Sequence, residues 1–191
     1  MATVTLEVLG RGYEISDTVY LDANFLISAY AESHDLHDRA ALLLLSLMAA
    51  AAQRKVRVLC SPLVVDECLW GITAALYQRE SGRQWGAAPK REKDAALRRH
   101  RTEQERFVRT IQHQSWLEFV PVQGAHVGPA FDEMKRHNIR PRDAFHMAVA
   151  KANNAGCIVT SDRDLRDALE RDPDIAGFNF ATIHLQGAAP S

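Results

Sequence analysis

The chain opens with a period-two pattern. Val4, Leu6 and Val8 precede Gly10-Arg11-Gly12, and Tyr13 and Ile15 follow. Alternation broken by glycines predicts a β-hairpin over residues 2–16. Five short apolar runs come next, at 18–21, 56–60, 117–122, 157–160 and 178–185, and each reads as a strand. The segments between them are longer and rich in Leu and Ala, which predicts helices over 24–31, 35–53, 62–77, 90–115, 124–137, 141–155 and 163–171. Ser61 before Pro62 supplies an N-cap and a first helical residue, and Pro141 and Gly156 bracket a later helix in the same way. Gly82, Gly86 and Pro89 predict a loop over 78–88. Strands alternating with helices predict a three-layer α/β/α sandwich around a mostly parallel central sheet. The expected organisation is one domain over 1–191, with an N-terminal hairpin extension at 1–17 and a charged helical insertion at 78–116.

Composition narrows the class. Lys and Arg number 23 against 24 Asp and Glu, so the whole molecule is not a polycation and any nucleic-acid surface must be local. Residues 79–109 are such a place, with ten Lys/Arg against five acids, or +5, while the rest of the chain carries 13 against 19, or -6. Cys60, Cys68 and Cys157 are too few and too scattered for a disulfide framework or a thiolate zinc site, and read as buried thiols in a reducing compartment. No apolar run reaches the roughly 20 residues of a membrane span. MATVTLEVLGRG lacks the charged start and apolar stretch of a secretory signal, so the expected location is cytoplasmic.

Four carboxylates carry the candidate chemistry. Asp22 ends VYLD and Asp162 follows CIVTS, both where an open α/β sheet binds ligands, beyond the carboxyl ends of its strands. Singly, each reads as a helix N-cap. Glu67 sits on an apolar helix in SPLVVDECLW, with Asp66 pointing about 100° away around it. Asp143 lies in the first turn of PRDAFHMAVAKANNAG, where an acid also suits the helix N-terminus. Four carboxylates meeting in one crevice would repel and raise one another's pKa values, and a hard divalent cation removes that penalty. Oxygen donors without thiolates suit Mg²⁺ or Mn²⁺, and such a site serves attack of water on a phosphodiester.

The order VYLDANFLISAY, SPLVVDECLW and RPRDAFHMAVAKANNAGCIVTSDRDL resembles the PIN-domain nucleases, most nearly the VapC-type toxin ribonucleases, over residues 18–77 and 117–185. The resemblance implies a PIN-like fold and metal-dependent cleavage of RNA that leaves a 5′-phosphate. It matches Asp22, Glu67, Asp143 and Asp162 to the family's acidic, metal-binding positions. Asn24 matches the small polar residue two after the first acid, and Thr160 the strand-end threonine, both as partners that hold the ligands, with Asp164 nearby as an outer partner or helix-start residue. An antitoxin protein and a homodimer are the partners it implies. The hairpin and the 78–116 stretch exceed the compact toxins of the family.

Other features compete for attention. His146 follows Asp143 by three residues on one helical face, and reads either as a group near phosphate or as a packed, hydrogen-bonded histidine. Arg98, Arg99 and Arg101 can contact RNA or belong to a solvated helix with pairs such as Arg101–Glu105 and Glu105–Arg109. Trp85 can stack on a base or anchor the loop. Two further readings differ in class. A haloacid-dehalogenase-like phosphatase wants a second Asp where Asn24 stands, and phosphomonoester turnover would reveal it. A non-toxin RNA-processing or non-catalytic RNA-binding module of the same fold would lack the toxin role or RNA cleavage.

Overall fold

The computed structural model describes residues 2–32, 34–183 and 185. Its centre is a five-stranded, all-parallel sheet of β3 (Thr18–Leu21), β4 (Arg57–Cys60), β5 (Leu117–Phe119), β6 (Cys157–Thr160) and β7 (Ala176–Asn179), in spatial order β5-β4-β3-β6-β7. Registers such as Tyr20 opposite Leu59 and Ile158 fix β3 between β4 and β6. Tyr20, Leu21, Leu59, Ile158 and Val159 are fully buried, because parallel strands covered on both faces have no solvent side.

Helices α1 (Ala23–Tyr30), α2 (His37–Ala52) and α3 (Pro62–Ser81) follow β3 and β4, and α6 (Val127–His137) and α7 (Pro141–Ala152) pair between β5 and β6. Helix α8 (Arg163–Leu169) joins β6 to β7. The strand order reverses between β3 and β6. Their carboxyl ends diverge there, which opens the crevice that α/β sheets use for ligands. Gly71 lets α3 lie close on α1, since a Cβ there would sit 2.3 Å from Ile27 Cδ1.

Several boundaries differ from the sequence reading. The hairpin of β1 (Thr3–Val8) and β2 (Arg11–Ser16) turns at Leu9-Gly10, so that of the expected Gly10-Arg11-Gly12 break only Gly10 is in the turn, with both turn residues at positive φ and Gly12 inside the second strand. Strand β5 stops at Phe119 because Pro121 has no N–H to extend it. The expected 90–115 helix is two, α4 (Lys90–Arg99) and α5 (Arg101–Gln112), broken at His100, which is buried at the bend. Helix α3 runs four residues past Tyr77 to a left-handed Gly82, so it claims part of the expected loop. The last strand ends at Asn179, whose side chain accepts from Ala181 N and starts a 3₁₀ turn over Phe180–Thr182. Residue 184 of the expected strand lies outside the described residues. No described helix is long and apolar enough to cross a membrane.

Candidate active site

Asp22 is the last residue before α1, and its side chain is held from two sides. Oδ1 accepts from Ala23 N, the first N–H of α1, at 2.7 Å, and Oδ2 accepts from Thr160 Oγ1 at 2.8 Å. Cap and candidate ligand are therefore the same group, because each oxygen keeps a lone pair for a further partner. Asp22 is 5% exposed, and burial above all raises its pKa, with the nearby Glu67 charge adding to it.

Thr160 ends β6 and connects the two strand ends. Its hydroxyl donates to Asp22 and accepts from Asp162 N at 3.0 Å and from Asn24 Nδ2 at 3.1 Å. Asn24 Oδ1 in turn accepts from Ser161 N at 3.2 Å. Asp162 caps α8, with Oδ1 accepting from Leu165 N at 3.0 Å. Asp143, in the first turn of α7, has its pKa pushed up to about 6 by burial first and then by the charges of Asp162, Asp22 and Glu67. Asp143 thus lies within electrostatic reach of the other three carboxylates.

Glu67 meets this group from α3. Its Oε1 accepts from His146 Nε2 at 3.1 Å and lies 2.9 Å from Arg142 Nε in an ion pair. Donor atoms of Asp22, Glu67 and His146 all lie within 4.8 Å of one another, close enough to share an ion. Behind His146 the contacts continue into the core: Nδ1 lies 3.0 Å from the Tyr20 hydroxyl, which lies 2.6 Å from Ser61 Oγ. Ser61 thus makes no side-chain cap for α3 and spends its hydroxyl on Tyr20 instead. The sequence pointed to the acids and to Asn24 and Thr160. It gave no priority to Tyr20, Ser61 and Arg142, whose only signal was a polar residue inside or beside an apolar run.

Other expected residues lie elsewhere. Asp164 is exposed and pairs with Arg140 at 3.7 Å, outside the crevice, and Asp66 pairs with Arg142 at 3.8 Å on the surface side of α3. Arg98, Arg99 and Arg101 are exposed on α4 and α5. Arg99 bonds Glu80 at 3.1 Å, and roughly 20 Å of helix axis separates Glu80 from Glu67. Glu105 pairs with Arg109 at 4.0 Å, whereas no Arg101–Glu105 pair occurs among the described residues. Trp85 packs against Tyr77 and Trp70, with Lys93 over its ring, so it anchors the loop. A second acidic group, Glu133, His137 and Asp172, surrounds the Lys151 ammonium, which lies 2.9 Å from Glu133 and 2.6 Å from Asp172. All three cysteines are buried and free, and burial pushes the Cys60 and Cys157 thiols up to about 12.

The sequence pattern described as "PIN domain" matches residues 19–169. No curated protein matches the chain. Among solved structures, FitAcB from Neisseria gonorrhoeae is 20% identical, covering 86% of this chain and 99% of its own, with a TM-score of 0.51. VapC20 of Mycobacterium tuberculosis, described as a sarcin-ricin loop cleaving toxin, is 17% identical over 77% of this chain and 92% of its own, with a TM-score of 0.47. At these identities the likeness is one of fold.

Proposed function

The chain belongs to the PIN-domain family, and from that premise we propose that it is a divalent-metal-dependent endoribonuclease, the toxin of a toxin–antitoxin pair. What supports this reading is Asp22 and Glu67 within ion-sharing reach of each other at the strand-order reversal, Asp162 tied to Asp22 through Thr160, and Asp143 pushed up to about 6 by burial first and then by these charges. A set of carboxylates in one crevice, with Asp22 buried and Glu67, Asp143 and Asp162 partly buried, serves no purpose in a pure binding module, and it fits an oxygen-seeking cation such as Mg²⁺ or Mn²⁺.

Asp22, Glu67, Asp143 and Asp162 would hold the ion. When bound, it polarises the phosphoryl group and lowers the pKa of a water. The chain's own groups do the positioning. Thr160 and Ala23 fix Asp22, and the Thr160 hydroxyl ties the β3 and β6 ends together so that Asp22 and Asp162 keep their spacing. Arg142, half-exposed at the rim, offers its guanidinium to a phosphate arriving from solvent. The likeness to FitAcB, and to FitAB on a DNA fragment, supports an antitoxin partner.

The test is cleavage of single-stranded RNA by the purified protein. Mg²⁺ or Mn²⁺ should support it and a chelator should stop it. Asp22→Asn keeps the shape and one acceptor, yet should lower the rate by at least about 100-fold, as loss of metal-site residues does. Cleavage that persists in excess chelator, or an Asp22→Asn protein as active as the parent, would remove the metal mechanism.

A further inference from the structure

His146 is 1% exposed, yet it is not a passive core residue. Its two ring nitrogens are both engaged, Nε2 with Glu67 Oε1 at 3.1 Å and Nδ1 with the Tyr20 hydroxyl at 3.0 Å. A carboxylate only accepts, so Nε2 carries a proton and donates it to Glu67. In the neutral ring Nδ1 must then accept from Tyr20, and the Tyr20 oxygen accepts from Ser61, 2.6 Å away. Three buried groups on β3, α7 and the residue before α3 thus point their donors in one direction, toward Glu67.

The consequence is an asymmetric carboxylate. Oε1 of Glu67 accepts from His146 and is ion-paired with Arg142, while Oε2 accepts no hydrogen bond among the described residues. A glutamate has three rotatable bonds and loses much freedom when fixed. Tying one oxygen supplies that order in advance and leaves the other oxygen open. The Nε2 atom also lies 4.0 Å from Asp22 Oδ1, so the same ring sets the separation between two acids.

We propose that His146, braced by Tyr20 and Ser61, is a positioning residue that presents Glu67 Oε2 to a divalent cation. This rests on the reading of Glu67 as a metal ligand. It also accounts for a buried polar chain under the site: an unbraced tyrosine and histidine in the core would each leave an unpaired polar atom.

The experiment measures Mn²⁺ binding by calorimetry on the full chain, together with electron spin-echo modulation of the bound ion. His146→Leu should weaken binding about 10- to 100-fold, the usual effect of losing a ligand's partner. His146→Gln places an amide N–H near the Nε2 position and should restore affinity to within about 3-fold, which a merely space-filling role would not do. Tyr20→Phe removes the brace alone and should cost about 3- to 10-fold, and it carries the test if His146→Leu does not fold. The wild-type spectrum should lack the modulation of a directly bonded imidazole nitrogen. If wild type binds Mn²⁺ and Glu67→Gln weakens it, yet both His146→Leu and Tyr20→Phe bind normally, the positioning role is overturned while the site reading stands. A directly bonded nitrogen would overturn it too, by making His146 a ligand. A wild type without Mn²⁺ affinity, or a Glu67→Gln protein that keeps it, removes the site reading and this role with it.

Discussion

Asp143 shows most clearly how one residue is set by its surroundings. Its pKa of about 6 comes from burial first and from the charges of Asp162, Asp22 and Glu67 after that. Between the ordinary carboxylate range and about 6 the folded chain holds a proton that the unfolded chain has released. Metal-free stability should therefore fall as pH rises through that window. Asp143→Asn removes the ionisation and should raise metal-free stability above pH 6 by on the order of 1 kcal/mol, the electrostatic value being reduced because the group is partly exposed to solvent. Binding of a cation reverses the sign, because the ligand must be ionised. The melting-temperature gain from Mn²⁺ should be larger at pH 7.5 than at pH 5. Thermal melts across pH with and without the ion check both statements, and identical pH profiles for wild type and Asp143→Asn would show that Asp143 does not titrate in this way.

At the scale of elements, local chemistry and tertiary need are sometimes in conflict. The hairpin turn puts Leu9 at φ 51° and Gly10 at φ 74°, a pair of positive angles that matches the twist of the strands. Glycine takes this freely, whereas leucine is strained by its Cβ at a cost of roughly 1–2 kcal/mol. Leu9→Asn keeps the turn and suits the left-handed region, so it should stabilise the protein by about 1 kcal/mol, read from denaturant midpoints at unchanged slope. A lower midpoint would mean that Leu9 contributes packing that outweighs its backbone strain. The α4–α5 break has a different origin. Before the bend at buried His100, Ala96 packs with Tyr77 and Ala88; after it, Phe107 joins the main core.

Across the whole molecule, charge is unevenly spread. The 79–109 stretch carries +5 and the remainder -6; Arg99 bonds Glu80, roughly 20 Å along α3 from Glu67, and α5 runs back along α3, with Gln104 bonding Thr73. RNA long enough to reach both would release counterions at the basic stretch and be cut at the crevice. Changing Arg98, Arg99 and Arg101 to Gln should flatten the log–log salt dependence of binding by up to about 2 units. It should raise KM while leaving kcat nearly unchanged, since contacts outside the crevice add uniform binding. Filter binding with Asp22→Asn protein at several salt concentrations reads the slope. Superimposable slopes would leave the stretch as a solvated helical pair, consistent with Arg99 bonding Glu80.

The alternation of short apolar runs with amphipathic segments was enough to determine a parallel α/β sheet, because buried strands and half-buried helices impose different periods on the chain. It was also enough to place Asp22 and Asp162 at strand ends, since those positions are local. Distances between elements were beyond it. That Glu67 on α3 reaches Asp22 depends on α3 lying close on α1 at Gly71, and that His146 bonds Glu67 depends on α7 meeting α3 beside the central strand β3. The donor chain from Ser61 through Tyr20 joins residues 41 and 126 positions apart, and no periodicity records such a contact. Spacing along the chain decides which face a residue lies on. Only packing decides what it faces, and in this protein that difference separates a set of acids from a carboxylate with one oxygen tied and one left open.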